Sequence, residues 1–205
     1  MKLLVWVLAG IICWFSLIVS AAELPSIDGR SVASGDKSTS SVPASGGDFT
    51  LQSVNGNVSL SDLRGKIAIV FFGYTQCPDV CPLSMSVVVS ALGDLDPLIQ
   101  SDVAPVFITL DPGRDTPDVL AQYVKHYHSS MIGLSGTDEQ IQQVARQYGI
   151  KFERVDLPDT ALQYAINHSA AYFVVDKKGQ LRFAFPHSYP AAMLAEAVRY
   201  LIDNP

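Results

Sequence analysis

One stretch of the chain, Ile67-Ala-Ile-Val-Phe-Phe-Gly-Tyr-Thr-Gln-Cys77-Pro-Asp-Val-Cys81-Pro82, combines a strand pattern with a pair of thiols. Its first six residues form a continuous apolar run, which is typical of a central β-strand. The residues after Cys81 place apolar side chains at helical spacing, which predicts a helix with one buried face. The cysteines therefore lie at a strand-to-helix junction, where a thiol pair can carry out sulfur chemistry or bind a soft metal ion.

The segments around this stretch alternate between strand and helix patterns. In chain order they predict a hairpin around Asn55-Gly56, strands at 67–72 and 103–110, helices at 82–95 and from Thr116, a short strand at 131–134, a helix with a Thr137/Gln140 capping box, strands at 170–175 and 180–185, and a helix from Pro190. Residues 59–65 are interpreted as a connection, and residues 151–166 show no regular pattern. This order predicts an α/β fold whose mixed sheet has an antiparallel edge and an N-terminal β-hairpin.

The N-terminal part differs in composition from the rest. Residues 3–22 are almost continuously apolar behind Lys2. A cleaved signal peptide fits the basic start and the small residues at 19–22, while a retained membrane anchor fits a run of about 20 residues. Both interpretations of residues 1–22 place the rest of the chain outside the cytoplasm. Residues 23–47 are rich in Ser, Gly and Pro and are predicted to be a flexible linker, which leaves residues 48–205 as one domain.

Charge and cysteine content narrow the possible functions. The net charge is −6 and no basic cluster occurs, so nucleic acid is not an expected partner. Of three cysteines, only Cys77 and Cys81 lie outside the apolar segment. In an oxidising compartment such a pair tends to form a disulfide, but a domain of this size does not need one to fold. The pair is therefore interpreted as functional.

Two chemistries remain open for this pair, beside the simpler interpretation as two ordinary buried cysteines. The start of a helix favours the thiolate, and Cys77 is expected to benefit more than Cys81. Three residues separate the cysteines, whereas thioredoxin-type redox enzymes usually have two, which weakens a purely redox function. Two thiolates suit Cu(I) or Zn²⁺, and such a metal site needs a further ligand, most naturally a histidine.

Four histidines are candidates for that ligand. His126 and His128 lie near a predicted helix end and are interpreted as solvated, and His187 lies in a loop. His168 immediately precedes the strand at 170–175. Because that strand is expected to lie beside residues 67–72, His168 can face the cysteines, although its position alone leaves this open.

One acidic residue also lies at a predicted strand end. Asp111 follows the strand at 103–110, and the ends of strands in α/β sheets are where sites gather. It can form a hydrogen bond near the thiols or cap its own turn, and Arg114 can pair with Asp111 or with Asp115.

Three blocks taken together resemble the Sco/SenC family. They are residues 71–82, residues 108–117, and Asn167-His-Ser169 followed by a strand and the turn at 176–179. The resemblance extends from about residue 48 to the C-terminus and implies a thioredoxin-like fold. It implies a copper site, for Cu(I) or Cu(II), with Cys77, Cys81 and His168 as ligands and with Asp111 and Asn167 around them.

The resemblance also implies a function. It indicates an exported metallochaperone that helps to assemble the dinuclear CuA centre of cytochrome c oxidase on the periplasmic side of the bacterial inner membrane, and it leaves thiol-disulfide oxidoreductase activity open. The implied partners are the copper-centre subunit of the oxidase, a copper donor protein, a thioredoxin-like reductant, and the membrane where residues 1–22 are retained.

Two departures and two alternatives accompany this resemblance. Asn167 and Gln76 stand where the family often has aspartate and histidine, which affects hydrogen bonds around the ligands and hence metal affinity.

The main alternative is a thiol-disulfide oxidoreductase that reduces the cysteines of the target subunit. A peroxiredoxin-like peroxidase is weaker, since the residues before Cys77 lack the expected proline-threonine arrangement.

Overall fold

The computed structural model describes residues 45–205. Its elements, in chain order, are β1 (Thr50–Ser53), β2 (Gly56–Ser59), a 3-10 turn (Leu60–Leu63), β3 (Ile67–Gly73), α1 (Val80–Gly93), α2 (Pro97–Gln100), β4 (Val103–Thr109), α3 (Pro117–Tyr127), β5 (Ile132–Leu134), α4 (Asp138–Gln147), β6 (Phe152–Leu157), β7 (Gln163–His168), β8 (Ala171–Val175), β9 (Leu181–Pro186) and α5 (Ala191–Asp203). The expectations for residues 1–22, and those for the linker up to residue 44, lie outside the described residues.

The central sheet is mixed, as predicted. Its five strands lie in the order β5-β4-β3-β8-β9. The first three are mutually parallel, whereas β8 runs antiparallel to both β3 and β9. The predicted neighbourhood of β3 and β8 is thereby confirmed, with Phe71 opposite Tyr172. Every residue of β3 and β4 is buried, because helices cover both faces of the central strands.

Local signals in the sequence account for most helix starts. The Thr116 hydroxyl accepts a hydrogen bond from the Val119 amide before α3, and Thr137 forms the predicted capping box with Gln140 before α4. The predicted N-terminal hairpin is present as β1–β2. The short connection predicted at residues 59–65 contains a 3-10 turn, and the short helix α2 was not predicted.

The largest departure from expectation is the segment at 151–166. It was predicted to be irregular, but it forms most of a regular antiparallel hairpin, β6–β7, with Phe152 opposite His168. This hairpin is a sheet of its own, and Ile166 is the one residue of its two strands that is buried. Because little of it is buried, its sequence does not show the apolar alternation by which strands are recognised.

Two further observations concern the edges of the described region. The Gly46 amide donates to the carbonyl of Gln147, so contacts with the fold begin ahead of β1. Among residues 45–205, no helix is long and apolar enough to cross a membrane.

Candidate metal centre

The loop between β3 and α1 positions the two cysteines. A turn in which the Cys77 amide donates to the carbonyl of Tyr74 (3.2 Å) precedes the helix, and α1 then begins at Val80. Cys81 therefore lies in the first helical turn and is fully buried, while Cys77 remains partly exposed at the loop. The Cys81 amide donates to the Cys77 sulfur at 3.4 Å, which orients that sulfur over the helix start.

The close approach of Cys81 to the sheet depends on a glycine. A Cβ atom at Gly73, the last residue of β3, would lie only 2.7 Å from the Cys81 sulfur. It would also lie 3.0 Å from the Phe107 ring. Only the missing side chain of Gly73 lets the sulfur sit against the strand end, so this glycine shapes the site.

The two thiols differ in pKa because they share a hydrogen bond. The hydrogen bond from the Cys81 thiol lowers the pKa of Cys77 far below that of an ordinary thiol, with a smaller contribution from His168. Donating that hydrogen bond, together with burial, raises the pKa of Cys81. The predicted preference for a Cys77 thiolate is thus supported, although its main cause is the neighbouring thiol and not the helix start.

His168 completes the cluster from the end of β7. Its Nε2 atom lies 3.6 Å from the Cys81 sulfur, while Nδ1 lies 3.1 Å from the carbonyl oxygen of Ser169. Because that oxygen can only accept, Nδ1 donates to it, and Nε2 is the ring nitrogen that faces the sulfurs. The ring packs edge-on against Tyr74, with centroids 6.0 Å apart.

The three donor atoms form a compact set. Sγ of Cys77, Sγ of Cys81 and a ring nitrogen of His168 all lie within 4.8 Å of one another, and no other such group was found among residues 45–205. Two sulfurs and one imidazole are soft ligands that suit Cu(I) or Zn²⁺. The arrangement can bind a metal ion once the thiols lose their protons.

The other sequence candidates lie elsewhere. His126 and His187 are exposed, and the Nδ1 atom of His128 lies 2.8 Å from the Ser130 hydroxyl. Asn167 is exposed on the opposite face of β7 from His168.

Asp111 is buried but does not form a hydrogen bond with the thiols. Its carboxylate pairs with Arg114 and accepts a hydrogen bond from the Tyr164 hydroxyl at 2.9 Å. Its backbone carbonyl also accepts from the amides of Arg114 and Asp115, so Asp111 does cap its turn as well.

Sequence reasoning missed a buried carboxylate that fixes the cysteine loop. Asp115 accepts hydrogen bonds from the amide and hydroxyl of Thr75 and from the Thr109 hydroxyl. Burial raises the pKa of Asp115, and these hydrogen bonds oppose that rise. The carboxylate ties the loop two residues before Cys77 to the end of β4. Only its position in the Asp-Pro-Gly-Arg-Asp-Thr block marked it in the sequence.

A thioredoxin-like domain with a Cys-Cys-His cluster able to bind a soft metal ion is the class that this fold and this site define. The family model SCO1/SenC matches residues 37–203, and the chain belongs to that family. The resemblance inferred from the sequence is thereby confirmed.

Similar proteins come from bacteria and from mitochondria. A SCO2-like protein of Rickettsia felis is 37% identical over 160 residues, which cover 78% of this chain and 76% of that protein. The mitochondrial protein SCO2 of Saccharomyces cerevisiae is 34% identical over 161 residues, 78% of this chain and 54% of the yeast protein.

Two solved structures combine the same fold with copper. Copper-bound ScoI of Arabidopsis thaliana has a TM-score of 0.70 at 31% identity, covering 79% of this chain and all of that one. Copper-bound yeast Sco1 has a TM-score of 0.71 at 29% identity, covering 80% of this chain and 91% of that one. Copper is thus bound by related proteins of this fold, and this chain has a cluster that could bind a metal ion.

Proposed function

We propose that the chain is an exported copper metallochaperone that helps to assemble the dinuclear CuA centre of cytochrome c oxidase. The observation that carries this proposal is the cluster of Cys77, Cys81 and His168, whose donor atoms lie within 4.8 Å of one another. Cu(I) favours such a three-coordinate soft set, and Cu(II) would use the same residues with a weak further ligand. The copper-bound relatives support copper over zinc.

The burial of the ligands suggests how copper would leave. Cys81 is fully buried, whereas Cys77 and His168 are partly exposed. Thiols of the target subunit would therefore approach from the side of Cys77 and His168. As each bond from copper to a target sulfur forms, one bond from copper to this chain breaks. The proton of the incoming thiol passes to the departing ligand or to solvent.

The setting of this transfer follows from the N-terminal sequence. Residues 1–22 would direct the domain to the periplasmic side of the inner membrane, as an anchor or as a cleaved signal. The copper-centre subunit of the oxidase would receive copper there, and a copper donor protein would supply it. A thioredoxin-like protein would keep Cys77 and Cys81 reduced, since a disulfide between them could not bind copper well.

A second candidate function is supported by the pKa values of the thiols. A depressed pKa makes Cys77 a nucleophile, as a thiol-disulfide oxidoreductase requires. Its thiolate would attack a disulfide of the target, releasing one target thiolate. Cys81 would then attack Cys77 to form the Cys77–Cys81 disulfide and release the second target sulfur. The target gains the two electrons that the cysteine pair loses.

Measuring how much copper the chain binds distinguishes the metallochaperone from the oxidoreductase. The reduced full-length chain in detergent should bind one Cu(I) tightly, and His168→Ala should weaken that binding at least tenfold. His187→Ala is the matched control, because His187 lies exposed in another loop and should leave the affinity unchanged. A chain that binds no copper but exchanges disulfides readily, with or without His168, would contradict the copper function and favour the oxidoreductase.

A further inference from the structure

The hairpin that carries His168 has no ladder connection to the sheet that carries the cysteines. β6 and β7 pair only with each other, whereas β3 belongs to the five-stranded sheet. His168 is joined to β8 of that sheet through Ser169 and Ala170, so the chain itself limits where β7 ends. The orientation of the rest of the hairpin depends on contacts made by side chains and loops.

Arg114, in the loop after β4, makes the required connection. Its Nη1 atom donates to the carbonyl of Leu162 at 3.0 Å and to the carbonyl of Tyr164 at 3.1 Å. Its Nε atom pairs with the buried carboxylate of Asp111 in the same loop. One guanidinium group thus joins the central sheet to the start of β7.

The ring of Tyr164 packs into this junction. The guanidinium carbon of Arg114 lies 3.7 Å from the ring centroid and that of Arg154 lies 3.8 Å away, too close for both to share one face. The ring is therefore held between two cations, and its hydroxyl donates to Asp111. Asp111, Arg114 and Tyr164 form a closed group, which we call the hairpin clamp.

Two features show that the clamp imposes a geometry and does not only pair charges. Gln163, between the two carbonyls that Arg114 contacts, has φ of +60°, and the Tyr164 amide donates to the Leu162 carbonyl across it at 2.7 Å. Such a turn is strained for a residue with a side chain and persists where its surroundings impose it. In addition, Nη2 of Arg114 is buried without a hydrogen-bond partner among residues 45–205. A lysine could neutralise Asp111 but lacks the planar fork that lets Arg114 donate to Asp111 and to the carbonyls of β7, so charge pairing alone does not account for arginine here.

The hairpin clamp is connected to His168 in two ways, through strand β7 and through the ring of Tyr74. Tyr164 and His168 are four residues apart on one strand, so their side chains share a face of β7, with the buried Ile166 between them. Arg114 also lies 5.9 Å from the ring of Tyr74, and that ring packs against the imidazole of His168. Both the backbone of β7 and the ring beside His168 are thus in contact with Arg114.

We propose that Arg114 is a positioning residue for copper binding, which places the imidazole of His168 against the two cysteine sulfurs by clamping the β6–β7 hairpin to the central sheet. This inference rests on the proposed function, because it assumes that His168 is a copper ligand. Arg114 acts through His168 and not through the thiols. Its contribution to copper affinity should therefore disappear when the imidazole is absent.

A double-mutant cycle on the reduced full-length chain tests this coupling. Cu(I) affinity is measured by competition with a chelator for wild type, Arg114→Lys, His168→Ala and the double variant. Arg114→Lys should weaken binding at least tenfold in wild type but at most threefold in the His168→Ala background. Arg182→Lys is the matched control and should leave the affinity unchanged, because Arg182 also pairs with a buried carboxylate, that of Asp176, but at the turn between β8 and β9, away from the β6–β7 hairpin.

A second variant, together with measurements on the copper-free protein, distinguishes a displaced imidazole from a general loss of folding. Tyr164→Phe removes only the hydroxyl bond to Asp111 and should shift the imidazole NMR signals of His168 in the apo protein. The equilibrium constant for forming the Cys77–Cys81 disulfide, measured against a reference thiol, should stay within threefold of wild type for Arg114→Lys and for Tyr164→Phe. An equal loss of affinity from Arg114→Lys in both backgrounds, or a loss below tenfold in wild type, would overturn the inference. If His168→Ala itself left the affinity unchanged, the ligand set of the proposed function would fail as well, which distinguishes the two failures.

Discussion

The position of Gly73 against Cys81 leads to a quantitative prediction for Gly73→Ala. The added Cβ would lie 2.7 Å from the Cys81 sulfur, 3.0 Å from the Phe107 ring and 3.1 Å from the Phe71 ring. Non-bonded carbon atoms prefer separations of about 3.5–4.0 Å, so the sulfur must move by roughly 0.8 Å or more. Metal–ligand distances tolerate deviations of only about 0.2 Å, so this displacement removes Cys81 from the ligand geometry.

Two responses to this clash are open, and each has a measurable consequence. If α1 shifts, overpacking costs about 1–3 kcal/mol. For a domain of this size that lowers the melting temperature by roughly 2–12 °C. If instead the Cys81 side chain rotates away, the fold keeps its stability but the cluster loses a ligand. In both cases Cu(I) affinity should fall at least tenfold, about 1.4 kcal/mol.

The assay is thermal unfolding of the reduced, copper-free protein by near-UV circular dichroism, together with Cu(I) competition against a chelator. Gly93→Ala is the matched control. Gly93 is the last residue of α1, and a Cβ there would meet no atom within 4 Å. Alanine at that position should leave copper affinity unchanged and stabilise the helix by up to about 1 kcal/mol. A Gly73→Ala protein with wild-type melting temperature and wild-type copper affinity would refute the packing argument.

Three further predictions follow from the surroundings of the ligands. Because the pKa of Cys77 is depressed and that of Cys81 is raised, iodoacetamide at pH 5 should alkylate Cys77 and leave Cys81 unmodified. Mass spectrometry would identify the labelled residue. Equal labelling of both cysteines would contradict the inference that Cys77 is the thiolate and Cys81 keeps its proton. Asn167→Asp places a carboxylate opposite Glu153 on the neighbouring strand. Because like charges repel there, chemical denaturation should show a free energy of unfolding lower by about 0.2–1 kcal/mol, while the copper affinity stays within threefold of wild type. A larger change in affinity would give residue 167 a role in copper binding that its exposed position does not indicate. Burial raises the pKa of Asp115, so the folded state binds this proton more tightly than the unfolded state, and stability contributed by its neutral form is lost as pH rises through the folded-state pKa. Asp115→Asn should cost roughly 1–3 kcal/mol through unpaired threonine donors and reduce that pH slope in urea titrations carried upward from about pH 4, the ordinary pKa of an aspartate, and an unchanged slope would show that another group titrates.

The sequence predicted those parts of the fold in which local pattern and burial coincide. The run from Ile67 to the end of β3 is apolar because both of its faces are covered, and the helix after Cys81 shows the spacing of one buried face. Capping residues such as Thr137 mark helix starts through hydrogen bonds that span only a few residues. The junction that carries Cys77 and Cys81 could therefore be located without any tertiary information.

The choice of the third ligand shows where local pattern was no longer sufficient. Position alone left His168 as one possibility among four histidines, and resemblance to a family was needed to single it out. Its imidazole meets the Cys81 sulfur across 87 residues of sequence, through a hairpin that was not recognised. The hairpin escaped recognition because Ile166 is the one buried residue of its two strands, so they lack the regular alternation that burial imposes on a sequence.

The sequence by itself determined the fold class, the pair of thiols at a strand-to-helix junction and, through its motifs, the family. Only the tertiary structure decided that Cys81 is buried against Gly73, that the hydrogen bond from Cys81 is the main cause of the lowered pKa of Cys77, and that Asp115 and Arg114 contact the surroundings of the ligands. The physical reason is the range of the interactions involved. Strand and helix patterns reflect contacts between residues close in the chain, whereas the direction of a side chain, its burial and its pKa depend on packing between elements that are distant in sequence.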